Sequence, residues 1–218
     1  MTVRQTDALI DALSAAASPV KRLAPPLTRA LAALAGLALI GLCAVLLLPN
    51  ADPLAMRGAG GETQAGLELA AALLAGVLAV VAAFHVAIPG RSRNWLAVPL
   101  PALALWLGLS GLGCWRDLVR NGPAGWTLGH SMDCFAFIIA ASLVLGLPLA
   151  WRLSRAAPID PLPVAVLGGL GIAALSAVLL QFFHPFAVTF IDLAVHLVAV
   201  GIVILLASLL RRPMLRPA

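Results

Sequence analysis

Long uncharged stretches, each of a length that suits a membrane-spanning helix, alternate with short segments that carry charge. Four of them occupy residues 30–51, 69–90, 94–115 and 134–151. A fifth runs through residues 161–191, too long for one straight helix across a hydrocarbon layer about 30 Å thick. Because His184-Pro185 interrupts that run, we expect two helices there. The pattern predicts an all-α polytopic membrane protein with six spans, at about 29–49, 66–88, 94–115, 132–151, 162–182 and 186–209.

The composition favours a membrane protein over a soluble one. Of the 218 residues, 62% are hydrophobic and only 11% are charged, and the mean hydropathy is +1.04. Soluble domains usually have about 45–50% apolar and about 25% charged residues. The sequence contains no phosphate-binding loop, nucleophile triad or HExxH metal motif, so we expect no enzymatic activity. The net charge of +5 comes from basic residues scattered between apolar runs, which indicates membrane topology rather than nucleic-acid binding.

The distribution of Lys and Arg predicts the orientation in the membrane. The N-terminal region up to Arg29, the loops at 88–94 and 151–160, and the C-terminal tail carry eleven basic residues, and the opposite loops carry three. Since cytoplasmic segments are enriched in Lys and Arg, we expect both termini in the cytoplasm. The Ala/Leu-rich composition suggests a bacterium, and we therefore expect the chain in the inner membrane with its opposite loops in the periplasm. The pattern therefore predicts three regions: a cytoplasmic segment at 1–26, a membrane domain at 27–210 and a basic cytoplasmic tail at 211–218.

Residues 1–26 form the longest predicted cytoplasmic segment and contain an amphipathic pattern. Thr6 is expected to cap a helix of about three turns that Pro19 limits. So short a helix is marginal alone in water, so we expect it to fold fully when its apolar stripe meets a partner. Association with the bilayer surface, which an acidic polar face disfavours, and disorder are the alternatives. The predicted binding residues are the stripe and the two carboxylates beside it: Leu9, Ile10, Leu13, Asp7 and Asp11.

Reactive side chains gather between the third and fourth spans, on the predicted outer side. Cys114 ends the third span, Cys134 begins the fourth, and His130 lies four residues before Cys134. His184, after the fifth span, emerges on the same side. Two Cys and two His are a plausible ligand set for a soft or borderline metal. A disulfide between Cys114 and Cys134, worth roughly 3 kcal/mol in the chain-entropy account, and inert thiols are the alternatives to a redox or metal sensor.

Ionisable residues inside the predicted spans are few. Asp192 and His196 are four residues apart on the sixth span and therefore share a helix face. They fit an internal ion pair, a proton site or a conformational latch, and equally a hydrogen-bonded pair that fixes helix packing. Glu68 and His85 lie near opposite ends of the second span, where we expect both to reach the membrane interface. Cys43, midway along the first span, is expected to be a small core residue.

Three motifs together resemble the NrsF-like (negative regulator of sigma F) family of membrane anti-sigma factors. They are "DALIDALSAAASPVKRLAPP", "VAIPGRSRNWLAVPLPALALW" and "GCW…LGHSMDCF", and the resemblance covers nearly the whole chain. It implies a six-helix inner-membrane protein whose N-terminal segment holds an extracytoplasmic-function sigma factor inactive. Carried onto this sequence, the sigma-binding residues are Leu9, Ile10 and Leu13 with Asp7 and Asp11 beside them.

The resemblance also implies that the outward cysteines take part in sensing an envelope stress such as heavy metals or oxidants. The sensing thiols are then Cys114 and Cys134, with His130 nearby. One departure affects this expectation: the family pattern has a His-Cys-Pro-like element after the fifth span, and this chain has "QFFHPF" with His184 at the place of that cysteine. The change weakens a three-cysteine scheme and is compatible with a Cys/Cys/His site.

The predicted function is therefore regulation of transcription in a stress response by a membrane-anchored anti-sigma factor. It releases its sigma factor on a periplasmic metal or redox signal, with Asp192 and His196 as a candidate relay and a soft metal ion as the one candidate cofactor. We expect no direct contact with nucleic acid. One rival is a membrane thiol oxidoreductase, which ordinarily needs a second redox-active pair that the lone Cys43 does not supply. The other is a small transporter using Glu68, His85, Asp192 and His196. Broken helices in matching halves would favour it, but only the 184–185 break and Pro148 are candidates and they form no matching pattern.

Overall fold

A computed structural model of the chain describes residues 3–17, 22–49, 62–122, 128–183 and 189–211. These residues form seven α-helices and a short 3-10 helix, Arg93–Ala97. The α-helices are α1 (Val3–Ala16), α2 (Pro26–Leu47), α3 (Glu62–Val86), α4 (Leu100–Asn121), α5 (Leu128–Ser154), α6 (Pro161–Leu180) and α7 (Phe190–Leu209). Within the described ranges there is no strand, so the predicted all-α class is confirmed.

Helices α2 to α7 are each long and apolar enough to cross a bilayer, which confirms the number and order of the predicted apolar helices. Contacts between their ends show that neighbours run in opposite directions. Arg29, in the first turn of α2, donates to the carbonyl oxygen of Arg152 near the end of α5. The guanidinium carbon of Arg29 lies 5.3 Å from the ring centre of Phe84, near the end of α3. The end of the bundle where α2 begins and α7 ends is hereafter the terminal end, and the opposite one the far end.

Helix α4 lies six residues further along the chain than the predicted third span at 94–115. Pro99 occupies its N-cap position and Pro101 lies in its first turn, where proline fits a helix, and the residues before it form the 3-10 helix. At the other end α4 continues past Trp115 through Arg116 to Arg120, because charged side chains stop an apolar run without stopping a helix. Cys114 consequently lies about two turns inside α4.

Helix α1 begins earlier than its capping residue predicts. It starts at Val3 and ends at Ala16, so Thr6 lies within the helix and the expected N-cap at Thr6 is wrong. The 14 residues make about four turns at 3.6 residues per turn, against the expected three. The end at Ala16 agrees with the limit that Pro19 sets.

Helices α3 and α6 form the centre of the bundle. In the most apolar 18-residue window of α6, 72% of the residues are buried, against 50% for α3 and less for every other candidate span. The two helices cross where Gly76 faces Gly171: a Cβ at Gly171 would lie 2.8 Å from Cγ2 of Val80 and 3.2 Å from the carbonyl oxygen of Gly76. Because α6 is apolar on every side, it suits the position surrounded by other helices.

Gly171→Ala is expected to lower the stability of the bundle by about 1–3 kcal/mol, since the added methyl group meets main-chain atoms that cannot move aside. Gly201→Ala is the matched control, because a Cβ at Gly201 would have no atom within 4 Å. Thermal unfolding of both variants in the same detergent measures the difference. Equal unfolding temperatures for the two variants would contradict the close crossing of α3 and α6.

His85, in the last turn of α3, is covered by another part of the chain rather than exposed. Its ring is 9% exposed and stacks on the indole of Trp95, with ring centres 3.8 Å apart and planes 14° from parallel. Trp95 belongs to the 3-10 helix that precedes α4. The late start of α4 thus places an aromatic side chain over His85 at the terminal end of the bundle.

Candidate functional site

The apolar stripe of α1 is exposed along its whole length. Leu9, Ile10 and Leu13 are 45%, 55% and 62% exposed, and every other described side chain from Gln5 to Ala17 is exposed as well. The helical spacing places the three apolar side chains on one face, as the sequence pattern predicts. An amphipathic helix gains most of its stability by burying such a face, so α1 has a surface suited to a partner.

The carboxylates of Asp7 and Asp11 are also exposed on α1. They are four residues apart and therefore lie on the same side of the helix, beside the apolar stripe. The first turn of α1 contains no acidic residue, and its last turn contains no basic residue. Asp7 and Asp11 therefore do not compensate the helix dipole. An apolar face flanked by negative charge is complementary to an apolar groove with a basic rim.

Cys114 and Cys134 lie within helices rather than in an exposed loop. They are 1% and 3% exposed, in α4 and α5 respectively, and both carry a thiol in the structure. Helix α4 extends beyond Cys114 and α5 begins before Cys134, so neither thiol marks the end of a helix as the apolar runs predict. Both helices pack against α7, and the carboxylate of Asp192 on α7 interacts electrostatically with both thiols. Both thiols therefore lie within electrostatic range of one common residue.

Asp192 and His196 make separate contacts with the main chain. The Asp192 carboxylate accepts from the amide and hydroxyl of Thr189, at 2.9 and 2.8 Å, and the Asp192 amide donates to the Thr189 hydroxyl at 3.3 Å. This reciprocal capping box begins α7. His196 Nδ1 lies 2.5 Å from the main-chain oxygen of Asp192. Those contacts give both residues a structural role, and a relay role for them stays a prediction.

Thr189→Ala is expected to destabilise α7 by about 1 kcal/mol, the usual cost of losing an N-capping hydroxyl. Thr189→Ser keeps the hydroxyl and is the matched control. Thermal unfolding in detergent compares the two variants, and the Ala variant is expected to unfold first. If Ser and Ala lower the unfolding temperature equally, the capping hydroxyl does not stabilise this helix.

A polar network joins α3 and α4 at the far end of the bundle, and the sequence pattern did not predict it. Gln64 on α3 donates to the Glu68 carboxylate at 3.0 Å and to the main-chain oxygen of Leu109 on α4 at 3.2 Å, and Arg116 donates to Oε1 of Gln64. Glu68 thus has a hydrogen-bond partner within the protein, and its position at the membrane interface stays a prediction. Gly113 on α4 leaves space for the Gln64 side chain, since a Cβ at Gly113 would lie 2.8 Å from Gln64 Nε2. The spacing of Gln64 and Glu68 was the available sequence signal.

The predicted metal ligands are only partly within the described residues. His184 lies outside them, and His130 lies in α5 with a side chain that is not among those described. Among the described residues, no group of three or more His, Cys, Asp or Glu side chains is placed to hold a metal ion. The site formed by Cys114, His130, Cys134 and His184 therefore stays a prediction.

A family model described as "NrsF: Negative regulator of sigma F" matches residues 13–216. The match covers the six apolar helices and both buried cysteines, and it begins at Leu13. Four of the five proposed partner-binding residues consequently precede it, namely Asp7, Leu9, Ile10 and Asp11. No curated protein and no solved structure matches the chain significantly.

Proposed function

Because the chain belongs to the NrsF family of negative regulators of sigma F, we propose that it is a membrane-anchored anti-sigma factor whose helix α1 binds an extracytoplasmic-function sigma factor. The observation that carries the proposal is the exposed apolar stripe of Leu9, Ile10 and Leu13, joined to a bundle of six apolar helices. The family supplies the kind of partner, and the stripe supplies a surface for it.

The size of the stripe is compatible with useful affinity. Full burial of one Leu or Ile side chain contributes about 1.5–3 kcal/mol, and the stripe offers three such side chains. Part of that free energy offsets the cost of ordering a short helix and of association. Asp7 and Asp11 add electrostatic steering toward a basic surface, which affects the association rate more than the final affinity. A sigma factor held in this way is kept at the membrane and away from RNA polymerase.

The membrane anchor is the bundle of α2 to α7, placed in the inner membrane with both termini in the cytoplasm. The excess of Lys and Arg at the terminal end supports this orientation. It puts α1 on the side of the membrane where transcription occurs. It also puts the far end, with Cys114, Cys134 and the polar network, toward the oxidising periplasm.

The proposed signal is metal capture or oxidation at Cys114 and Cys134. Two thiolates are suitable ligands for a soft metal ion, and metal binding releases their protons. In the oxidative version the two thiols lose two protons and two electrons to an oxidant such as a peroxide, which is reduced as the S–S bond forms. Both versions require access to thiols that are buried at rest, so the signal acts on a conformation in which α4 and α5 have moved.

Such a signal releases the sigma factor only if it favours one state of the bundle over another. Helix α7 is the element best placed to respond, because it packs against both α4 and α5 and Asp192 in its first turn lies within electrostatic range of both thiols. A shift of that turn would alter the capping contacts of Asp192 with Thr189 and the contact of His196. These contacts support Asp192 and His196 as a relay without demonstrating coupling.

Cell fractionation tests the proposal. With the full chain, the cognate sigma factor is expected in the membrane fraction, and with a chain lacking residues 1–17 it is expected in the soluble fraction. The truncated chain itself must stay in the membrane fraction, which is the control for a folded anchor. A sigma factor that remains soluble beside the full chain would overturn the proposal.

Reporter fusions are expected to confirm the orientation. Green fluorescent protein fused after residue 218 should fluoresce, because it folds in the cytoplasm, and alkaline phosphatase inserted after Gly122 should be active, because it folds in the periplasm. The reciprocal fusions serve as controls. The opposite pair of results would reverse the orientation and remove α1 from the compartment of its proposed partner.

A further inference from the structure

A groove of about 120 Å³ opens between α5, α6 and α7 and extends toward the terminal end of the bundle. Its walls are almost entirely aliphatic, with Leu149 and Leu153 from α5, Val164 from α6 and Leu206 from α7. Among the described residues that line it, the one charged side chain is that of Arg211, just after the end of α7. An apolar channel with a cation at one end has the polarity of a lipid molecule with an anionic headgroup.

Glycines shape the groove by leaving it unfilled. Gly168 and Gly169 line it from α6 and Gly146 lines it from α5. A Cβ at Gly169 would lie 3.1 Å from both Cα of Ile204 and Cβ of Ala207, so that glycine lets α7 approach α6 closely. A Cβ at Gly146 would meet only Cγ2 of Ile172, at 3.9 Å, so that position has space for a side chain and carries none.

Arg211 lies at the level where a phospholipid headgroup is expected. On the neighbouring α5, Trp151 is 56% exposed and the guanidinium of Arg155 lies 3.9 Å from its ring centre. Exposed Trp beside basic residues is typical of the membrane interface. Arg211 uses one nitrogen to donate to the carbonyl oxygen of Ser208, and a guanidinium has further donors that suit a phosphate group.

We propose that this groove binds one anionic phospholipid, with an acyl chain between α5 and α7 and the phosphate at Arg211. The inference rests on the proposed membrane location of the bundle. The part of α5 that lines the groove, from Ile139 to Leu153, is about 21 Å long at 1.5 Å per residue, more than the roughly 15 Å thickness of one apolar leaflet. Basic pockets between membrane helices on the cytoplasmic side are known headgroup sites. The charge of Arg211 at the end of the groove favours a lipid as the occupant over an apolar helix from a second copy of this chain.

Native mass spectrometry of the full chain tests the site, after removal of copurified lipid and addition of dioleoyl phosphatidylglycerol or dioleoyl phosphatidylcholine. The acyl chains are identical, so any difference reports on the headgroup. The first phosphatidylglycerol is expected to bind about fivefold more tightly, the factor that one basic residue contributes at a membrane surface. Arg211→Gln should remove the preference and Arg211→Lys should keep it. Arg91→Gln, at the same end but outside the groove, should also keep it.

Two further variants test the groove itself. Gly146→Phe places a ring in the channel and should abolish the first binding event for both lipids, whereas Gly201→Phe adds the same ring on α7 outside the groove and should not. Equal affinity for the two lipids, or unchanged binding by Gly146→Phe, would overturn the site. A dimer that forms in place of the lipid-bound monomer would also overturn the site. Lipid binding that appears only after residues 1–17 are removed would overturn it as well. A chain in the soluble fraction of cells would instead contradict the membrane location.

Discussion

Replacing Leu9 and Leu13 together by Asp is expected to abolish capture of the sigma factor and to raise transcription of its regulon to the level seen without this chain. Both side chains are exposed on α1 and available for burial by a partner. Loss of two buried leucines removes about 3 kcal/mol or more of binding free energy, and burial of two new carboxylates costs further. Since 1.4 kcal/mol is a factor of ten, the affinity should fall more than about a hundredfold.

The matched control adds the same two charges to the other face of α1. Ala8 and Ala15 are seven residues apart, share a face opposite the stripe and are exposed, so Ala8→Asp with Ala15→Asp should leave capture nearly unchanged. A transcriptional reporter for the regulon and an immunoblot of the membrane fraction give both readouts. If the control pair and the stripe pair release the sigma factor equally, the stripe is not the binding surface.

Replacing both Cys114 and Cys134 by Ser is expected to abolish induction of the regulon by soft metal salts and by oxidants while repression at rest persists. The expectation follows from the packing of α4 and α5 against α7, which gives metal capture or disulfide formation a route to the first turn of α7. Repression should persist because neither residue belongs to α1. The measurement is reporter activity before and after addition of a cadmium salt or a peroxide.

Two controls separate sensing from packing. Cys43 is exposed on α2, so the expectation of a core residue is wrong and Cys43→Ser should leave the response intact. Because Cys114 and Cys134 are buried, the double Ala variant checks that a buried hydroxyl is not responsible for any loss. Full induction in either double variant, with the protein present in the membrane at normal abundance, contradicts the proposed sensor.

The apolar runs were sufficient to predict six membrane-type helices, because a span of about 20 apolar residues is a strong signal. They were not sufficient to predict where helices end. The helix α4 continues through Arg116 and Asp117 although the apolar run stops at Trp115, since helix propensity does not depend on hydrophobicity. Because α4 continues, Cys114 lies buried within the bundle rather than at the end of a helix.

The contacts between helices were beyond the reach of the sequence pattern. The four-residue spacing of Asp192 and His196 correctly placed them on one face, yet the Asp192 carboxylate turns back to Thr189 and caps the helix. The link between Arg116 and Gln64 joins residues 52 positions apart, and no periodicity indicates it. By contrast, the α1 stripe is a local feature, so the sequence alone placed Leu9, Ile10 and Leu13 on one exposed face.

Copurification from membranes tests the central claim most directly. The tagged full chain is purified in mild detergent and its bound proteins are identified, in parallel with a chain lacking residues 1–17 and with the Ala8→Asp, Ala15→Asp control. The account predicts that a sigma factor copurifies with the full chain and with the control variant, and that it is lost from the truncated chain. A sigma factor that copurifies equally with and without α1, or with none of the three chains, would contradict the account.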